Sequence, residues 1–152
     1  MIVRTELDAT LEDHQAAFTE VCFLLDVLTR TIGDVVGQSQ ASLAINAGRH
    51  MGRKLPVHIE NPDLPQVAEA LRNRFHEGFE IAVAADAVKA ELTVDRCAIR
   101  EVCRERNLEV GGELCRMLHF YWSGIMSHLL GRPVRVGDFT AGESCRLCME
   151  AK

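Results

Sequence analysis

One segment of the sequence, ELCRMLHFYWSGIMSHLLG at positions 113–131, is apolar on most sides of the helix that it would form. Two glycines precede it, and a glycine followed closely by a proline ends it. The segment is short for a bilayer crossing and contains Arg116, His119 and His128, so a membrane span is disfavoured. A helix with few polar sides needs neighbours all round, and the segment therefore predicts a central buried helix.

Three helices are predicted before this segment. From Leu11 to Arg30, apolar residues recur at helical spacing at Phe18, Cys22 and Leu25, which indicates an amphipathic helix with Cys22 as a small core residue. A second helix is predicted over 35–55, ending before a proline, and a short third helix over 64–76.

Two hairpins complete the pattern. Apolar residues alternate in 79–83 and again at 92 and 94, which predicts two antiparallel strands joined near Asp86. The segment 132–151 predicts a second hairpin with its turn at TAGE, 140–143. We therefore predict an α+β fold in which N-terminal helices pack on a mostly antiparallel sheet of two hairpins, with the central buried helix between them. We expect a single domain over 1–152, with an N-terminal helix in 1–30 and the core in 31–149.

Composition limits the partners and the compartment. The 17 Lys and Arg against 22 Asp and Glu give a net charge of −5, which disfavours a phosphate backbone, so no nucleic acid is expected. The first residues show no secretory leader, and we expect a cytoplasmic protein with no membrane partner. The six cysteines are then expected to be reduced thiols or metal ligands rather than disulfides.

The second predicted helix carries a strip of small residues on one side. The strip consists of Gly37, Ala41, Ala44, Gly48 and Gly52. Such a bare face either packs closely against another helix or lines a groove for a ligand. For the groove, the candidate pocket residues are Ala44, Gly48, Phe120, Tyr121, Trp122 and Met126. An apolar pocket with few polar anchors would follow.

Five cysteines lie where predicted elements meet, and they are the candidate metal ligands: Cys97, Cys103, Cys115, Cys145 and Cys148. Thiolate ligands suit zinc or an iron–sulfur cluster, and the spacing does not choose between the two. Two alternatives stay open, namely that all five are ordinary buried thiols and that the terminal C-x-x-C is a redox pair.

The terminal pair cannot both face inward along a regular strand. Alternation places Cys145 with its apolar neighbours toward the core and Cys148 on the opposite face, unless the backbone curls into a knuckle. We therefore predict that Cys97, Cys103, Cys115 and Cys145 converge, with Cys148 as the alternate for Cys103. His119 lies four residues after Cys115 on the same helix face and is a reserve ligand.

Four segments together resemble the 4-vinyl-reductase-type domain, the small-molecule-binding domain of hydrocarbon-binding proteins and of some aromatic-responsive transcription activators. These segments are GQSQASLAINAGRHMGRKL, ELTVDRC, YWSGIMSHLLGRPVRV and GESCRLCMEA, and the resemblance spans about 31–149. It implies an α+β fold, an apolar ligand pocket, a homodimer and cysteines able to hold zinc, at Cys97, Cys115 and Cys145. The family's tight first C-x-x-C is replaced here by CAIREVC, which puts the role of Cys103 in doubt.

Two functions from different classes follow. The first is a module that binds or senses a small apolar molecule, with a cysteine-ligated metal site that is structural zinc. The second is a metal-dependent or iron–sulfur redox protein or enzyme that uses the cysteine cluster. The Ser, His and Asp residues form no recognisable catalytic motif and no phosphate-binding loop follows a strand, so binding is favoured over catalysis.

Overall fold

The computed structural model describes residues 9–37 and 40–152. Helix α1 spans Leu11–Val36, α2 spans Gln40–Lys54 and α3 spans Leu64–Arg74. The first hairpin consists of β1, Phe79–Ala85, and β2, Lys89–Cys97. Helices α4, Ala98–Glu105, and α5, Glu113–Leu130, follow, and the chain ends with β3, Val134–Thr140, and β4, Cys145–Ala151.

The four strands form one antiparallel sheet in the order β1-β2-β4-β3. The two hairpins join edge to edge where β2 pairs with β4, with Leu92 opposite Leu147 and Val94 opposite Cys145. Asp86 fixes the first turn because its Oδ1 accepts from the amides of Val88 and Lys89, both at 2.8 Å. The predicted α+β class and both hairpins are confirmed.

The predicted central helix is α5. Its Trp122, Ile125 and Met126 are fully buried in the main core, together with side chains from α3 and from the inner face of the sheet. Ser127 Oγ accepts from the Val134 amide at 2.9 Å and donates to the Ser123 carbonyl at 2.7 Å, so α5 is tied directly to β3. The helix ends at Gly131, which has the left-handed φ of +75°.

The structure differs from the sequence-based expectation in three of its helices. The second helix, predicted over 35–55, spans Gln40–Lys54, because Val35 and Val36 belong to α1. Helix α1 starts at a capping box between Thr10 and Asp13 and continues six residues beyond the predicted end, to Gly37 with φ +67°. Helix α4 was not predicted, although Ile99, Val102 and Cys103 have helical spacing. Cys97 begins α4, because its Sγ accepts from the Arg100 amide at 3.4 Å. Across the described ranges, none of the helices is both long and apolar enough to cross a membrane.

Candidate functional site: an apolar cavity beside a cysteine cluster

A cavity of about 450 Å³ lies between α1, α2 and α5, within the size range of small-molecule sites. Its walls are mainly apolar: α1 contributes Leu25 and Ile32, α2 contributes Ala41 and Ala44, and α5 contributes several side chains. Those from α5 include Leu114, Met117, Leu118, Phe120 and Tyr121. The cavity therefore suits a ligand with an apolar body.

The cavity wall also contains the polar residues Thr29, Gln40, Glu113 and Arg116. Gln40 Nε2 donates to Glu113 Oε2 at 2.7 Å, and both residues line the cavity. The other amide atom of the same side chain, Gln40 Oε1, is buried and has no hydrogen-bond partner among residues 9–37 and 40–152. An unpaired buried carbonyl oxygen costs about 1–3 kcal/mol. A Cβ at Gly33 would lie 2.9 Å from this oxygen, so the oxygen faces α1. The hydrogen-bonded pair of Gln40 and Glu113 therefore supplies the cavity wall with polar groups.

The predicted pocket residues divide between two places. Ala44, Phe120 and Tyr121 line the cavity, whereas Gly48 does not. A Cβ at Gly48 would lie 2.0 Å from the Tyr121 carbonyl oxygen, and a Cβ at Gly124 would lie 2.1 Å from the Ile45 carbonyl oxygen. Gly48 thus serves close contact between α2 and α5, which corrects its assignment to the ligand pocket.

Trp122 and Met126 also lie outside the cavity wall. Both are buried in the main core, where Trp122 packs at ring-centroid distances of 5.5 Å from Phe75 and 5.6 Å from Phe79. On a helix, residues 120 and 121 face different directions from 122 and 126, so one helix supplies both the cavity wall and the core. The sequence run of aromatic residues did not distinguish these faces.

Three of the candidate metal ligands lie around a second, much smaller space on the other side of α5. Cys97, Cys115 and Cys145 line a cavity of about 20 Å³, which has room for about one water molecule. His119 and Arg100 line it too. The predicted junction of β2, α5 and β4 therefore brings these three cysteines to one place.

Arg100 places a buried cation in this cluster. Its Nη1 lies 3.6 Å from Cys145 Sγ and donates to the Val94 carbonyl at 3.2 Å, while its Nη2 donates to the Asp95 carbonyl. The guanidinium stays charged at any ordinary pH. Arg100 connects the end of β2 to the start of β4.

Cys103 reaches the cluster through Cys115. A hydrogen bond from the Cys103 thiol, opposed by burial and aided by the Gly111 amide and the Arg100 charge, lowers the pKa of Cys115 to about 7. The same hydrogen bond, with burial, raises the pKa of Cys103. Cys22 of α1 is buried against this pair, and burial raises its thiol pKa. The prediction that Cys22 is a core residue is confirmed.

Cys148 stays apart from the other candidates. It follows Leu147 on a regular strand and therefore points to the face opposite Cys145 and Leu147. Its surroundings are Lys89, Glu150 and Asp138, and burial raises its pKa. No knuckle forms, so Cys145 and Cys148 make neither a shared ligand pair nor a redox pair in this arrangement.

The described residues do not form a preformed metal site. In the described part of the chain, no group of three or more His, Cys, Asp or Glu side chains could hold an ion. The nearest approach to such a group, Cys97 with Cys115 and Cys145, has the Arg100 guanidinium among its members. His119, the reserve ligand, is buried, and this burial together with Arg116 lowers its pKa to about 4. The metal site therefore stays a prediction.

Sequence reasoning did not identify four residues that line the two cavities. Leu25 was assigned to the apolar face of the first helix, and Ile32, Gln40 and Arg100 were not singled out. Gln40 and Glu113 are 73 positions apart, so their hydrogen bond leaves no local pattern. Arg100, in the segment CAIREVC between two cysteines, was the one signal that could have been used.

Comparison with known proteins gives a likeness in fold only. No family model matches the chain, and no curated protein matches it in sequence. Among solved structures, the chain is similar to the phenol-responsive sensory domain of the transcription activator PoxR, in a crystal structure with phenol. The TM-score is 0.52 at 15% identity, covering 86% of this chain and 74% of that one. The two chains share a fold.

Proposed function

We propose that this chain is a sensory module that binds a small apolar molecule carrying one hydrogen-bond donor. The observation that carries the proposal is the cavity of about 450 Å³, whose wall is mainly apolar and includes the hydrogen-bonded pair of Gln40 and Glu113. A pocket of this kind gains affinity from apolar burial and selectivity from its few polar groups. The likeness in fold to a phenol-responsive domain supports the same ligand class.

Membership of the 4-vinyl-reductase-type family is part of this proposal. Its support is the run of segments from the small-residue helix to the terminal GESCRLCMEA, together with a fold that the PoxR sensory domain shares. The family implies binding rather than a defined reaction.

The test compares two ligands that differ in one group. 2-Naphthol has a fused apolar ring and an O–H donor, and naphthalene lacks only the donor. We expect saturable binding of 2-naphthol, followed by its fluorescence, at least about tenfold tighter than naphthalene, because one well-placed hydrogen bond is worth about 1–1.5 kcal/mol. Gln40→Leu should remove this preference while keeping naphthalene binding.

A blocking variant separates pocket binding from surface adsorption. Ala44→Leu adds three carbons to a residue that lines the cavity, so it should abolish 2-naphthol binding without lowering the melting temperature. Ala16→Leu places the same change on the exposed surface of α1 and serves as the control. Equal binding by parent and Ala44→Leu would contradict the proposal.

The zinc prediction needs its own measurement. Cys97, Cys115 and Cys145 share one small space, which supports a thiolate site, while Arg100 within it weighs against a closed one. Elemental analysis and a visible spectrum of the freshly purified protein test it directly. One zinc per chain in colourless protein supports the structural site, brown protein with iron and sulfide supports the redox alternative, and metal-free protein contradicts both.

A further inference from the structure

A third concave site lies at the carboxyl-terminal ends of α2 and α5, and we call it the arginine groove. It has a volume of about 310 Å³, within the size range of small-molecule sites. The residues that line it are Arg49 and Arg53 of α2, Ser127 and His128 of α5, and Gly131, Arg132 and Pro133 of the following turn. Three arginines around one groove give it a strong positive charge.

The close contact between α2 and α5 separates this groove from the apolar cavity. Gly48 and Gly124 lie against the backbone of the opposite helix. The two helices line the cavity before this contact and the groove after it, and among the described residues the two sites share none. The proposed apolar ligand therefore does not explain the groove.

Gly52 makes room for the His128 side chain at the groove. A Cβ at Gly52 would lie 2.9 Å from His128 Cβ and 3.1 Å from its Cδ2, so the imidazole lies against the bare backbone of α2. Arg53 follows Gly52 directly, and Arg49 lies one turn earlier on the same side of the helix. The last glycine of the small-residue strip thus places a ring with hydrogen-bonding nitrogens beside two arginines.

The turn after α5 brings the third arginine to the groove. Gly131 ends α5 with the left-handed φ of +75°, and Pro133 restricts the backbone just beyond Arg132. Arg132 Nη2 donates to the Ala87 carbonyl at 3.2 Å, so the first hairpin helps to hold this side chain in place. A guanidinium has five N–H donors, and one such bond leaves the others for a ligand.

The positive charge of the groove is not matched by carboxylates. Within residues 9–37 and 40–152, none of Arg49, Arg53 and Arg132 forms an ion pair, and no Asp or Glu lines the groove. Several other arginines of the chain pair with an acidic residue of their own helix. Arg49 and Arg53 have the spacing at which like charges on a helix repel. In a chain of net charge −5, this concentration of cations indicates an anionic ligand.

The helix ends account for only part of this charge. Basic residues in the last turn of a helix interact favourably with its negative end, which explains Arg53 and Lys54 of α2. Arg49 lies before that turn. Arg132 lies beyond the end of α5 and donates to a carbonyl of the first hairpin instead. Arg49 and Arg132 therefore need a different explanation.

The number of arginines favours a phosphate group over a carboxylate. A guanidinium binds either group through paired hydrogen bonds. A carboxylate has two oxygens and is filled by one such pair, whereas a phosphate offers three or more oxygens to donors from several directions. A nucleic-acid backbone needs a longer basic surface, and the net charge of −5 disfavours it.

We propose that the arginine groove binds a phosphate group that carries two or more negative charges. Arg49 and Arg53 hold it from α2, Arg132 holds it from the turn after α5, and His128 supplies a further hydrogen bond. The bound phosphate ties the ends of the two helices together and stabilises the folded protein. This site is separate from the apolar cavity, and the proposal does not depend on the proposed function.

Calorimetric titration with pyrophosphate tests the groove. Citrate at the same ionic strength is the control, because it carries a similar charge on carboxylates. We expect saturable binding of pyrophosphate, at least about tenfold tighter than that of citrate, and weaker binding as salt is added. Equal binding of the two anions would overturn the choice of a phosphate, and the absence of binding both to pyrophosphate and to phosphatidic acid vesicles would overturn the site.

Matched substitutions locate the binding. Arg49→Gln and Arg53→Gln each remove one exposed guanidinium from the groove, and Arg104→Gln removes the same charge from α4. Helix α4 packs beside the start of α5 through Cys103 and Cys115, at the opposite end from the groove. We expect the pyrophosphate dissociation constant to rise at least about tenfold in each groove variant and to stay within about twofold in Arg104→Gln. Equal changes in all three variants would overturn the proposal.

Thermal denaturation without an anion shows whether the arginines have a structural role instead. We expect Arg49→Gln and Arg53→Gln to melt at the temperature of the parent or slightly above it, because each substitution relieves the repulsion between like charges. Pyrophosphate should raise the melting temperature of the parent and have a much smaller effect on the two variants. Variants that melt well below the parent without an anion would show that these arginines stabilise the fold by themselves and would contradict the proposal.

Vesicles separate two sources of a phosphate group. Co-sedimentation is measured with phosphatidylcholine vesicles, with and without phosphatidic acid, whose headgroup is a phosphate monoester. We expect no co-sedimentation, because the net charge of −5 opposes an anionic surface, and pyrophosphate binding alone then assigns the groove to a free phosphate compound. Co-sedimentation that requires phosphatidic acid and is lost in Arg49→Gln would assign the same chemistry to a lipid headgroup. Co-sedimentation that persists in both groove variants, without pyrophosphate binding, would overturn the groove.

Discussion

Helices α1 and α5 are both rich in apolar residues, but only α5 buries them. In α5 the largest apolar side chains, such as Trp122 and Met126, are fully buried, whereas in α1 Phe18, Leu25 and Leu28 are exposed. Helix α5 has α2, α3 and the sheet around it, and α1 has neighbours on one side only. Burial therefore follows from what the rest of the chain can offer a helix, and hydrophobicity alone does not decide it.

The two helices also differ in how their buried polar groups are satisfied. In α5, Ser123 and Ser127 bond to backbone groups of β3, so they fix the helix against another element. In α1, Thr19 and Thr29 bond first to carbonyls of their own helix, and Asp26 pairs with Arg30 one turn later. We therefore expect substitutions to be costly on α5 and its contacts, and cheap on α1.

The largest effect is expected at the glycine contact between α2 and α5. Gly124→Ala would put a Cβ 2.1 Å from the Ile45 carbonyl oxygen, so the helices must separate, and we expect a loss of about 3 kcal/mol in the free energy of unfolding. Chemical denaturation measures it.

The matched control is Gly33→Ala on α1. There the new Cβ would meet only the tip of the Gln40 side chain, at 2.9 Å, and that flexible side chain can move. The better helix propensity of alanine, about 1 kcal/mol, offsets the shift, and the net change should be near zero. Equal losses at both glycines would show that α1 is packed as tightly as α5.

The second largest effect is a loss of stability at low pH. Burial, with a smaller contribution from Arg116, lowers the pKa of His119 to about 4 from an ordinary value of 6.5, so the folded protein keeps the imidazole neutral. The unfolded chain binds the proton first, and stability is therefore lost as the pH falls from about 6.5 toward 4. This difference of about 2.5 pKa units corresponds to roughly 3 kcal/mol.

The variant His119→Gln separates the contribution of His119 from that of the carboxylates, which titrate over the same pH range. We expect the fall in unfolding free energy between pH 7.5 and pH 4.5 to be about 2–3 kcal/mol larger in the parent than in His119→Gln. Indistinguishable pH profiles would show that His119 is solvated or charged in the fold.

Ser127→Ala should have the third largest effect. It removes the acceptor of the Val134 amide, which is buried, so a donor is left unpaired at a cost of about 2 kcal/mol. Ser42→Ala, at an exposed position of α2, should change stability by less than about 0.5 kcal/mol. A similar melting temperature for both variants would mean that water replaces the Ser127 hydroxyl.

The sequence predicted the parts of this fold that depend on local periodicity. Alternation predicted both hairpins, and the largely apolar segment 113–131 predicted α5, because a buried strand or helix needs the same pattern wherever it lies. The side of α1 that faces the domain could not be predicted in this way. The sequence shows both an apolar side, with Leu25 and Leu28, and a more polar side that includes Asp26. Which side faces the domain depends on α4 and α5, more than sixty positions away.

The site was predicted in part for a similar reason. Of the small-residue strip, Gly37 ends α1 and the other four residues lie on α2. Within α2, Ala44 borders the cavity, whereas Gly48, one turn later, lies against the α5 backbone. The difference between Ala44 and Gly48 depends on the angle at which α2 crosses α5, and no single helix sequence determines that angle. For the cysteines, strand alternation separated Cys145 from Cys148, while the Arg100 guanidinium beside Cys145 arises only from the tertiary fold.

The smallest effect on stability is expected on the buried side of α1. Thr29 Oγ1 donates to the Leu25 carbonyl at 2.7 Å, a group that the helix already engages, and approaches Met117 Sδ at 3.1 Å. Thr29→Val keeps the shape and removes only the hydroxyl, so no buried backbone donor loses its partner, and the unfolding free energy should change by less than about 0.5 kcal/mol. Thermal and chemical denaturation of Thr29→Val and Ser127→Ala compare the two helices directly, since each variant deletes one buried hydroxyl. If Thr29→Val costs as much as Ser127→Ala, the inner contacts of α1 specify its position as strongly as those of α5, and the contrast between the two helices fails.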